Sequence, residues 1–373
     1  MKNLSIRSTL VLSILGSLSI LLLIVVEWTQ HHQTQAHFQQ KMEAARLMQE
    51  SLDYLKTTHF KNEVAVDNIN DPNDSRIIGE RYSSITSGRG SLPVKLSTVN
   101  PNFAAMMVDL FKKANLKAGD HIAVGATGSF PALNIAVATA AEVMQLKVTT
   151  IASVTSSSWG ANHPDYTYLD IHKSLQKGGF LSQEMLAASI GANQDIGRTI
   201  SPEGRAQAAT AIHRNGLEFI NGQSLVENID RRMDLFAQSA AHKGLPIDLY
   251  VNVGGGVASL GSTANSEGLT AGLLEDVKLD EFIDKRGVMF EMASRGVALL
   301  NLRNLTPLMR EYGLPLDPVP LPLPGEGTMF YDLKYDLRYV TGATLLLVLL
   351  IFGVILYDKK QNALGNEIVQ PAH

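Results

Sequence analysis

The chain has 373 residues and a formal net charge of −4 at pH 7, so it lacks the basic surplus of nucleic-acid-binding domains. It contains no cysteine, which excludes disulfides, thiolate nucleophiles and thiolate metal sites. Its length allows one large or two modest domains. Hydrophobic residues make up 45% of it, and two long uncharged runs of them lie near its ends.

These two apolar runs are each long enough to cross a hydrocarbon core of about 30 Å as a helix. For the first run, a cleaved signal peptide is the alternative, but the run is longer than a usual signal core and no Ala-x-Ala-like site follows it. For the second, the alternative is a buried core helix, and Lys359 and Lys360 directly after the run favour a membrane stop. We therefore predict transmembrane helices at residues 8–27 and 339–357.

Basic residues beside the two runs predict the orientation, because cytoplasmic flanks carry an excess of Lys and Arg. Lys2 and Arg7 precede the first run, and Lys359 and Lys360 follow the second, so the middle of the chain is expected on the periplasmic or extracellular side. The predicted organisation is a cytoplasmic tail (1–7), a span (8–27), a stalk helix with an irregular segment (28–92), an extracytoplasmic α/β domain (93–313), a Pro-rich linker (314–338), a second span (339–357) and a second cytoplasmic tail (358–373).

Two features precede the main domain. A helix over residues 41–56 has an apolar stripe and is predicted to be a stalk between membrane and domain. Arg81, Ser87, Arg89 and Ser91 then follow in a glycine-containing stretch. That stretch is either an anion-binding loop or an irregular surface segment, and the second is favoured because glycine-containing loops with scattered arginines are common.

The stretch from Asp120 to Trp159 indicates the fold of the main domain. An apolar run at His121–Val124 ends in a glycine-containing turn, a helix-like segment follows at Pro131–Gln145, and a β-branched run follows at Val148–Val154. A strand, a crossover helix and a parallel strand in this order predict an α/β domain with a mostly parallel, Rossmann-like sheet and helices on both faces. In such a sheet a ligand binds at the carboxyl ends of the strands.

Further elements are predicted along the rest of the domain. Apolar runs at residues 247–253 and 296–301 are predicted strands. The predicted helices lie at about residues 100–118, 182–192, 203–214, 224–242 and 306–312, with one or two short helices within 268–284. In the helix at 224–242, Arg232 is expected to face outward with its charged neighbours. Five prolines between Leu314 and Gly327 predict an extended spacer.

Glycines directly follow two of the predicted strands, at Gly125–Ser129 and at Gly254–Ser262. Exposed N–H groups in such turns bind carboxylates and phosphates, and a pair of these turns at strand ends is expected to face one crevice. The alternative is a pair of bare turns that only permit close packing. The predicted ligand-binding residues are Gly125, Thr127, Gly128, Ser129, Ser156, Ser157, Ser158, Gly254, Gly255, Gly256 and Ser259.

The polar segment after Val154 offers a second kind of site. It suits a ligand-binding loop, a structural loop that satisfies its own hydrogen bonds, or a catalytic or metal centre. No G-x-S-x-G elbow is present, so no serine stands out as a nucleophile. The catalytic alternative uses Ser157, His163, Asp165, Asp170 and His172. Neither a cofactor nor a resident metal is predicted. The first glycine turn matches neither the dinucleotide-binding motif nor a P-loop, and the spacing of the His and Asp residues after Val154 is unspecific for a metal.

Four motifs lie between the predicted spans: GATGSFPALN, SVTSSSWGANHPDYTYLDI, SPEGR and VNVGGGVASLG. With them the chain resembles the poly-γ-glutamate system family, bacterial membrane proteins associated with the ligase and membrane subunits that make and export this polymer. The resemblance covers almost the whole chain and carries over no catalytic residues. It implies an accessory membrane component of capsule-polymer biosynthesis whose outer domain binds the anionic polymer or partner subunits.

Two other functions stay open at the level of sequence. An extracytoplasmic hydrolase acting on the polymer would need the residues of the catalytic alternative to converge near Gly254–Gly256. A binding protein for a small acidic ligand would need only the glycine turns. For all three functions the expected location is the cell membrane, and no nucleic-acid partner is expected.

Overall fold

The computed structural model describes residues 8–58, 67–262, 265, 268–274, 277 and 287–367, and for residues 361–367 it describes the backbone alone. The chain divides into two compact units. One contains the two chain ends, up to Gln35 and from Tyr331 onward, and the other contains Ala36–Phe330. The predicted tail at residues 1–7, and residues 368–373 of the second predicted tail, lie outside the described residues.

Helices and strands alternate along most of the described chain. The helices are α1 (Thr9–Trp28), α2 (Phe38–Thr58), α3 (Leu92–Thr98), α4 (Asn102–Lys113), α5 (Pro131–Val143), α6 (Tyr168–Lys177), α7 (Pro202–Asn215), α8 (Leu225–Lys243), α9 (Val257–Leu260), α10 (Val288–Ser294), α11 (Thr306–Glu311) and α12 (Leu337–Glu367). The strands are β1 (His31–Thr34), β2 (Thr86–Gly88), β3 (His121–Thr127), β4 (Lys147–Ser153), β5 (Ser156–Ser157), β6 (Asn162–His163), β7 (Tyr166–Thr167), β8 (Met185–Ser189), β9 (Glu218–Ile220), β10 (Leu249–Val253), β11 (Gly272–Leu274), β12 (Ala298–Leu302) and β13 (Tyr331–Lys334).

The unit formed by the chain ends contains α1, α12 and a two-stranded ribbon. α1 and the Leu337–Lys360 part of α12 have mean hydropathies of 2.7 and 2.5 and bury almost none of their side chains, so both are long and apolar enough to cross a membrane. For α1, a membrane span and a signal sequence both satisfy these criteria, so membrane anchoring stays a prediction. β1 and β13 pair antiparallel, with His31 opposite Lys334, where the sequence indicated only polar and Pro-rich connections.

The unit Ala36–Phe330 is organised around a seven-stranded sheet in the order β11-β12-β10-β3-β4-β8-β9. Neighbouring strands are parallel except for β11, which runs antiparallel to β12. Ile122 on β3 lies opposite Val148 on β4 and opposite Leu249 on β10, which puts β3 at the centre of the sheet. The predicted mostly parallel α/β fold is thereby confirmed, and it is consistent with a Rossmann-like sheet.

Both faces of this sheet are buried. Ala123, Ile151 and Tyr250 belong to one apolar cluster with side chains of α8, α9 and α10, such as Phe236. Because successive side chains of a strand point to opposite faces, Ile122 projects from β3 toward the other layer, where α5 packs on β3 and against α2 and α4. Each fully buried Ile or Phe side chain stabilises the fold by about 1.5–3 kcal/mol, so this burial holds the two helical layers on the sheet.

Two strands of the main sheet lie where the sequence predicted helices. The helix predicted at residues 182–192 is wrong, since Met185–Ser189 forms β8 and pairs parallel with β4. Ala and Met favour helices in isolation, but four of the five residues of β8 are buried, and pairing in the sheet outweighs that preference. Within the segment 268–284, where short helices were predicted, the described part contains β11, and residues 275–276 and 278–284 lie outside the described residues.

α2 belongs to the α/β unit rather than forming a separate stalk. The apolar stripe predicted for it is buried against α4 and α5. At its first turns, Lys41 is 1% exposed, forms an ion pair with Asp109 of α4 at 2.9 Å and donates a hydrogen bond to the carbonyl of Met329 at 3.2 Å. This helix is therefore fixed to the domain at its polar end as well as along its apolar face.

The Pro-rich segment before β13 was predicted to be an extended spacer, but it contains bends and turns and is hydrogen-bonded to the same unit. The side-chain amide of Asn102 donates to the carbonyl oxygens of Leu323 and Glu326 at 3.0 and 3.2 Å. The backbone N–H of Asp317 donates to Ser97 Oγ at 2.8 Å. These bonds hold residues 317–326 against α3 and α4, so this part of the chain is not a free spacer.

Candidate functional site

The order of the strands places a crevice at one edge of the sheet. β3 is followed along the chain by β4 on one side, whereas its neighbour on the other side is the much later β10. Crossover connections diverge at such a switch point and leave a ligand-binding crevice at the carboxyl ends of the strands. A cleft of about 750 Å³ lies there, and its wall includes Thr127 at the end of β3, Ser129 after it, and Gly255 and Gly256 after β10. Its volume falls in the range of small-molecule sites.

The two glycine turns lie side by side in this cleft. Gly254 has a φ of 86°, and a Cβ atom there would lie 2.8 Å from Thr127 Oγ1, so the position needs glycine both for its backbone and for the close approach. The Thr127 hydroxyl donates to the carbonyl of Val253 at 3.2 Å and ties the first turn to the end of β10. The predicted neighbourhood of the two turns thus exists in the structure.

The predicted ligand-binding residues divide into two groups. Those that line the cleft are Thr127, Ser129, Ser157, Gly255 and Gly256. The others do not line it, and they are Gly125, Gly128, Ser156, Ser158, Gly254 and Ser259. A Cβ on Gly125, for example, would collide with the hydroxyl of Tyr250, which is itself 2.7 Å from Ser259 Oγ.

Part of the glycine-containing stretch predicted as either an anion-binding loop or a surface segment also lines the cleft. β2 pairs parallel with β5, and this pairing brings Ser87, Arg89 and Ser91 to the cleft wall. Arg81 lies apart from the wall, with its guanidinium 5.4 Å from the ring of Tyr82. A second guanidinium, Arg303 from the loop after β12, lines the other side and carries no motif that marks it in the sequence.

A buried lysine lies directly behind the cleft wall. Lys95 of α3 is 2% exposed, and its Nζ lies 2.9 Å from Ser157 Oγ. Its other partners are the carbonyl oxygens of Ser129 at 2.5 Å and Ser157 at 3.3 Å. No carboxylate of the described residues pairs with it, and burial lowers the pKa of Lys95 to about 7. The sequence did not indicate it, since neither α3 nor its packing was predicted.

The floor of the cleft contains a second buried network. Asp195 lines the cleft but is 1% exposed, and it accepts hydrogen bonds from Arg232 Nη1 at 2.7 Å, Ser189 Oγ at 2.8 Å and Asn228 Nδ2 at 3.1 Å. The prediction that Arg232 faces outward is wrong, because it is 5% exposed and serves as the counterion of this carboxylate. A buried carboxylate needs such a partner.

The loop that carries Asp195 has an unusual backbone. Ala192, Gln194 and Asp195 have φ values of 60°, 58° and 60°, which side chains larger than glycine rarely adopt. Each such residue costs on the order of 1–3 kcal/mol and persists only where its surroundings hold it. The hydrogen bonds of Asp195 supply that restraint, and residues strained in this way are found mainly at functional sites.

The remaining residues of the catalytic alternative do not line the cleft. His163 and Asp165 are exposed, and His172 is buried and bonded to the carbonyl of Gln183 at 3.0 Å. Asp170 caps α6 and pairs with Arg214 at 2.7 Å. In the described part of the chain, no three His, Asp or Glu side chains are grouped as metal ligands. Of that set, only Ser157 reaches the cleft.

No protein-family model matches the chain, and no curated protein matches it. Among solved structures, the crystal structure of O-ureido-L-serine synthase matches at 18% sequence identity with a TM-score of 0.17. The match covers 62% of this chain and 60% of that one, so the chain spans less than two thirds of that structure. At this TM-score the similarity carries no argument about fold or function.

Proposed function

We propose that this protein is a membrane-anchored accessory component of a bacterial poly-γ-glutamate synthesis and export system, and that its α/β unit binds the anionic polymer in the cleft. The observation that carries the binding proposal is the composition of the cleft wall. Arg89 and Arg303 face it from opposite sides, and between them lie the glycine turn at Gly255–Gly256 and the hydroxyl of Thr127. Guanidinium groups and backbone N–H groups are the donors that proteins use for carboxylates.

The small number of carboxylates in the cleft wall supports an anionic ligand. Asp195 is the one carboxylate among the described residues of the cleft wall, and Arg232 neutralises it. A polymer with one carboxylate per residue would meet the guanidinium of Arg89 and backbone N–H donors along the cleft. Poly-γ-glutamate has this chemistry, and a short acidic ligand shares it in part.

The membrane half of the proposal rests on α1 and α12. Both have the length and hydropathy of a membrane span, and both expose apolar side chains that water would solvate unfavourably. Ser13, Gly16 and Ser17 give α1 a face of small residues, which suits close packing against spans of the synthase and exporter. With the basic residues at their flanks, both termini would be cytoplasmic and the α/β unit periplasmic or extracellular.

The binding proposal is tested with the purified full chain and a poly-γ-glutamate oligomer, by isothermal titration calorimetry. Arg89→Ala and Arg303→Ala are each expected to weaken binding about tenfold, since hydrogen bonds to charged groups contribute about 1.5–3 kcal/mol. Arg231→Ala is the matched control, because Arg231 is paired with Glu218 outside the cleft. Equal losses in all three variants, or no binding at all, would contradict the proposal. Equal affinity for glutamate monomer would favour the small-acid function.

A second test fills the cleft without changing charge. Gly255 has an ordinary φ, and a Cβ there would lie 3.4 Å from Arg303 Nε, so Gly255→Val is tolerated by the backbone and narrows the cleft. Polymer yield in cells is expected to fall, while copurification with the membrane subunits of the synthase is unchanged. Gly268→Val is the control, because Gly268 lies outside the cleft wall, has no positive φ, and a Cβ there would meet none of the described residues within 4 Å. Normal yield with Gly255→Val would remove the cleft from the proposal.

A further inference from the structure

We infer that Ser157 and Lys95 form a catalytic pair, nucleophile and general base, that cleaves an amide bond of a carboxylate-bearing substrate in the cleft. This goes beyond binding, since it assigns a reaction to the cleft. That the substrate bears a carboxylate rests on the proposed function, whereas the catalytic pair is inferred from the contact between Ser157 and Lys95. Ser157 Oγ and Lys95 Nζ are 2.9 Å apart, within the range in which a base activates a hydroxyl nucleophile.

Ser157 is held in place from two sides. It lies in β5, which pairs with β2, and its backbone N–H donates to Ser129 Oγ at 3.0 Å. Its side chain is only partly buried and opens into the cleft, while the lysine behind it is closed off from water. A substrate can therefore approach the hydroxyl from the cleft, and the base can approach it from within the protein.

The three partners of Lys95 fit both of its protonation states. A neutral amine can donate its two N–H bonds to the carbonyl oxygens of Ser129 and Ser157, and its lone pair can accept the proton of the Ser157 hydroxyl. A protonated amine can donate its third N–H to the same hydroxyl oxygen. No partner has to move when the proton is transferred. With the pKa of Lys95 lowered to about 7 by burial, both states are populated at neutral pH.

The start of α5 supplies hydrogen-bond donors for the developing oxyanion. Ser129 and Phe130 line the cleft, and in the described part of the chain their backbone N–H groups donate to no acceptor. They lie at the N-terminus of α5, where aligned peptide dipoles favour negative charge. Donors held in this way stabilise the tetrahedral intermediate of acyl transfer.

The reaction balances with water as the only co-reactant. Ser157 Oγ attacks the amide carbonyl carbon and its proton passes to Lys95 Nζ; the C–N bond then breaks as Lys95 returns that proton to the leaving amine. Water attacks the resulting ester and gives a proton to Lys95. The ester bond to Oγ breaks, Oγ takes the proton back, and the products are a carboxylic acid and an amine. Serine–lysine pairs of this kind are a known variant of serine catalysis.

If Lys95 only held α3 against the loops of Ser129 and Ser157, the Ser157 hydroxyl would be no more reactive than another serine that is hydrogen-bonded to a lysine. The chain offers a matched comparison, because Lys243 Nζ lies 2.6 Å from Ser239 Oγ on α8, outside the cleft and with an exposed lysine. In the described part of the cleft wall, the other charged groups are Arg89, Arg303 and Asp195, and Asp195 is paired with Arg232.

The test is covalent labelling of the purified full chain, in detergent, by a fluorophosphonate probe. We expect wild type and Ser239→Ala to be labelled, and Ser157→Ala to show no labelling above background. Lys95→Arg keeps hydrogen-bond donors but cannot accept a proton near neutral pH, so labelling should fall by about 100-fold or more. The labelling rate of wild type should rise with pH around a midpoint near 7.

The opposite results would overturn the inference: an unlabelled wild type, labelling that survives Ser157→Ala, or a Lys95→Arg variant labelled like wild type. If Lys95→Arg fails to fold, as judged by its circular dichroism, Ser157→Ala and the pH profile of wild type decide. Oligomer binding by Ser157→Ala separates this inference from the proposed function. If the chain binds the oligomer but wild type is not labelled by the probe, the protein is a binding protein and not an enzyme. If wild type is labelled but the oligomer does not bind, the protein is an enzyme that acts on another amide.

Discussion

Two lysines of the α/β unit are buried to the same degree but in different surroundings. Lys41 of α2 is 1% exposed and Lys95 of α3 is 2% exposed. Lys41 has a carboxylate partner, Asp109, at 2.9 Å, and Lys95 has only neutral oxygen atoms within hydrogen-bond distance. The first joins two helices away from the cleft, and the second touches a serine of the cleft wall.

The difference shows how a counterion separates a structural cation from a reactive one. Burial disfavours the charged form of a lysine, and an opposite charge nearby restores it. For Lys95 no carboxylate among the described residues offsets burial, so burial lowers its pKa to about 7, in the pH range where general bases act. Arg232 belongs with Lys41, since Asp195 pairs with it.

The largest effect is expected where a buried pair is broken. Asp195→Ala leaves Arg232 buried without a counterion and should lower the free energy of unfolding by about 3–5 kcal/mol. Urea unfolding of the full chain in detergent, followed by circular dichroism, measures this. Asp165→Ala is the control, because Asp165 is exposed, and it should leave the midpoint unchanged. Similar midpoints for the two variants would show that the Asp195 pair is not what holds the cleft floor.

A somewhat smaller loss is expected at the other paired cation. Lys41→Met should cost about 3 kcal/mol, since Asp109 keeps Lys113 at 3.3 Å and remains partly exposed. Adding Asp109→Asn should cost less than the sum of the two single changes, which a double-mutant cycle by urea unfolding measures. Additive losses would mean that the pair contributes nothing beyond its packing.

The two lysines should differ most clearly in how they affect the pH dependence of the free energy of unfolding. Between a pKa of about 7 in the folded chain and 10.5 in the unfolded chain, the unfolded state binds a proton at Lys95 that the folded state does not. The free energy of unfolding should therefore rise with pH in this window, by at most about 1.4 kcal/mol per pH unit. Urea unfolding across the window should show this rise in wild type and Lys41→Met, and its absence in Lys95→Met. A rise that persists in Lys95→Met would mean that other groups cause it.

The smallest loss of stability is expected at Asp170, which the sequence offered as a catalytic residue and which caps α6 in the structure. Burial would raise the pKa of Asp170, but hydrogen bonds from Arg214, Asn215 and Thr167 outweigh burial and hold that pKa below its ordinary value. Its stabilisation is thus present above the ordinary carboxyl pKa and is lost as pH falls through the folded value. Asp170→Asn should cost about 1 kcal/mol near neutral pH. Fluorophosphonate labelling of this variant should stay unchanged. Loss of labelling in a folded Asp170→Asn variant would show that Asp170 contributes to the reaction after all.

Much of the fold could be predicted because its signals are local. β3, α5 and β4 follow one another with a period that changes from strand to helix and back, and the glycine turn marks where the first strand ends. β8 was missed because its five residues carry no alternation, and its strand conformation depends on pairing with β4. α2 was predicted as a helix, but its place in the core depends on α4 and α5.

The sequence predicted those parts of the site whose residue types by themselves indicate a role. Glycines after strands indicate turns with exposed N–H groups, and Thr127, Ser129 and Ser157 next to them do line the cleft. Lys95 and Arg303 carried no such signal, because a lone lysine or arginine is most often a solvated surface residue. The histidines and aspartates that follow Ser157 in sequence do not line the cleft, because the chain leaves the cleft after β5. They are His163, Asp165, Asp170 and His172.

The sequence by itself determined the class of the fold, two apolar helices at its ends and two glycine turns at strand ends, because each depends on residues within a few positions of one another. Only the tertiary structure decided which groups meet in the cleft. Lys95 and Ser157 are 62 residues apart, and Asp195 and Arg232 are 37 residues apart. Burial and pairing at such separations depend on how helices pack on the sheet, and burial and pairing are what set the charge and reactivity of these side chains.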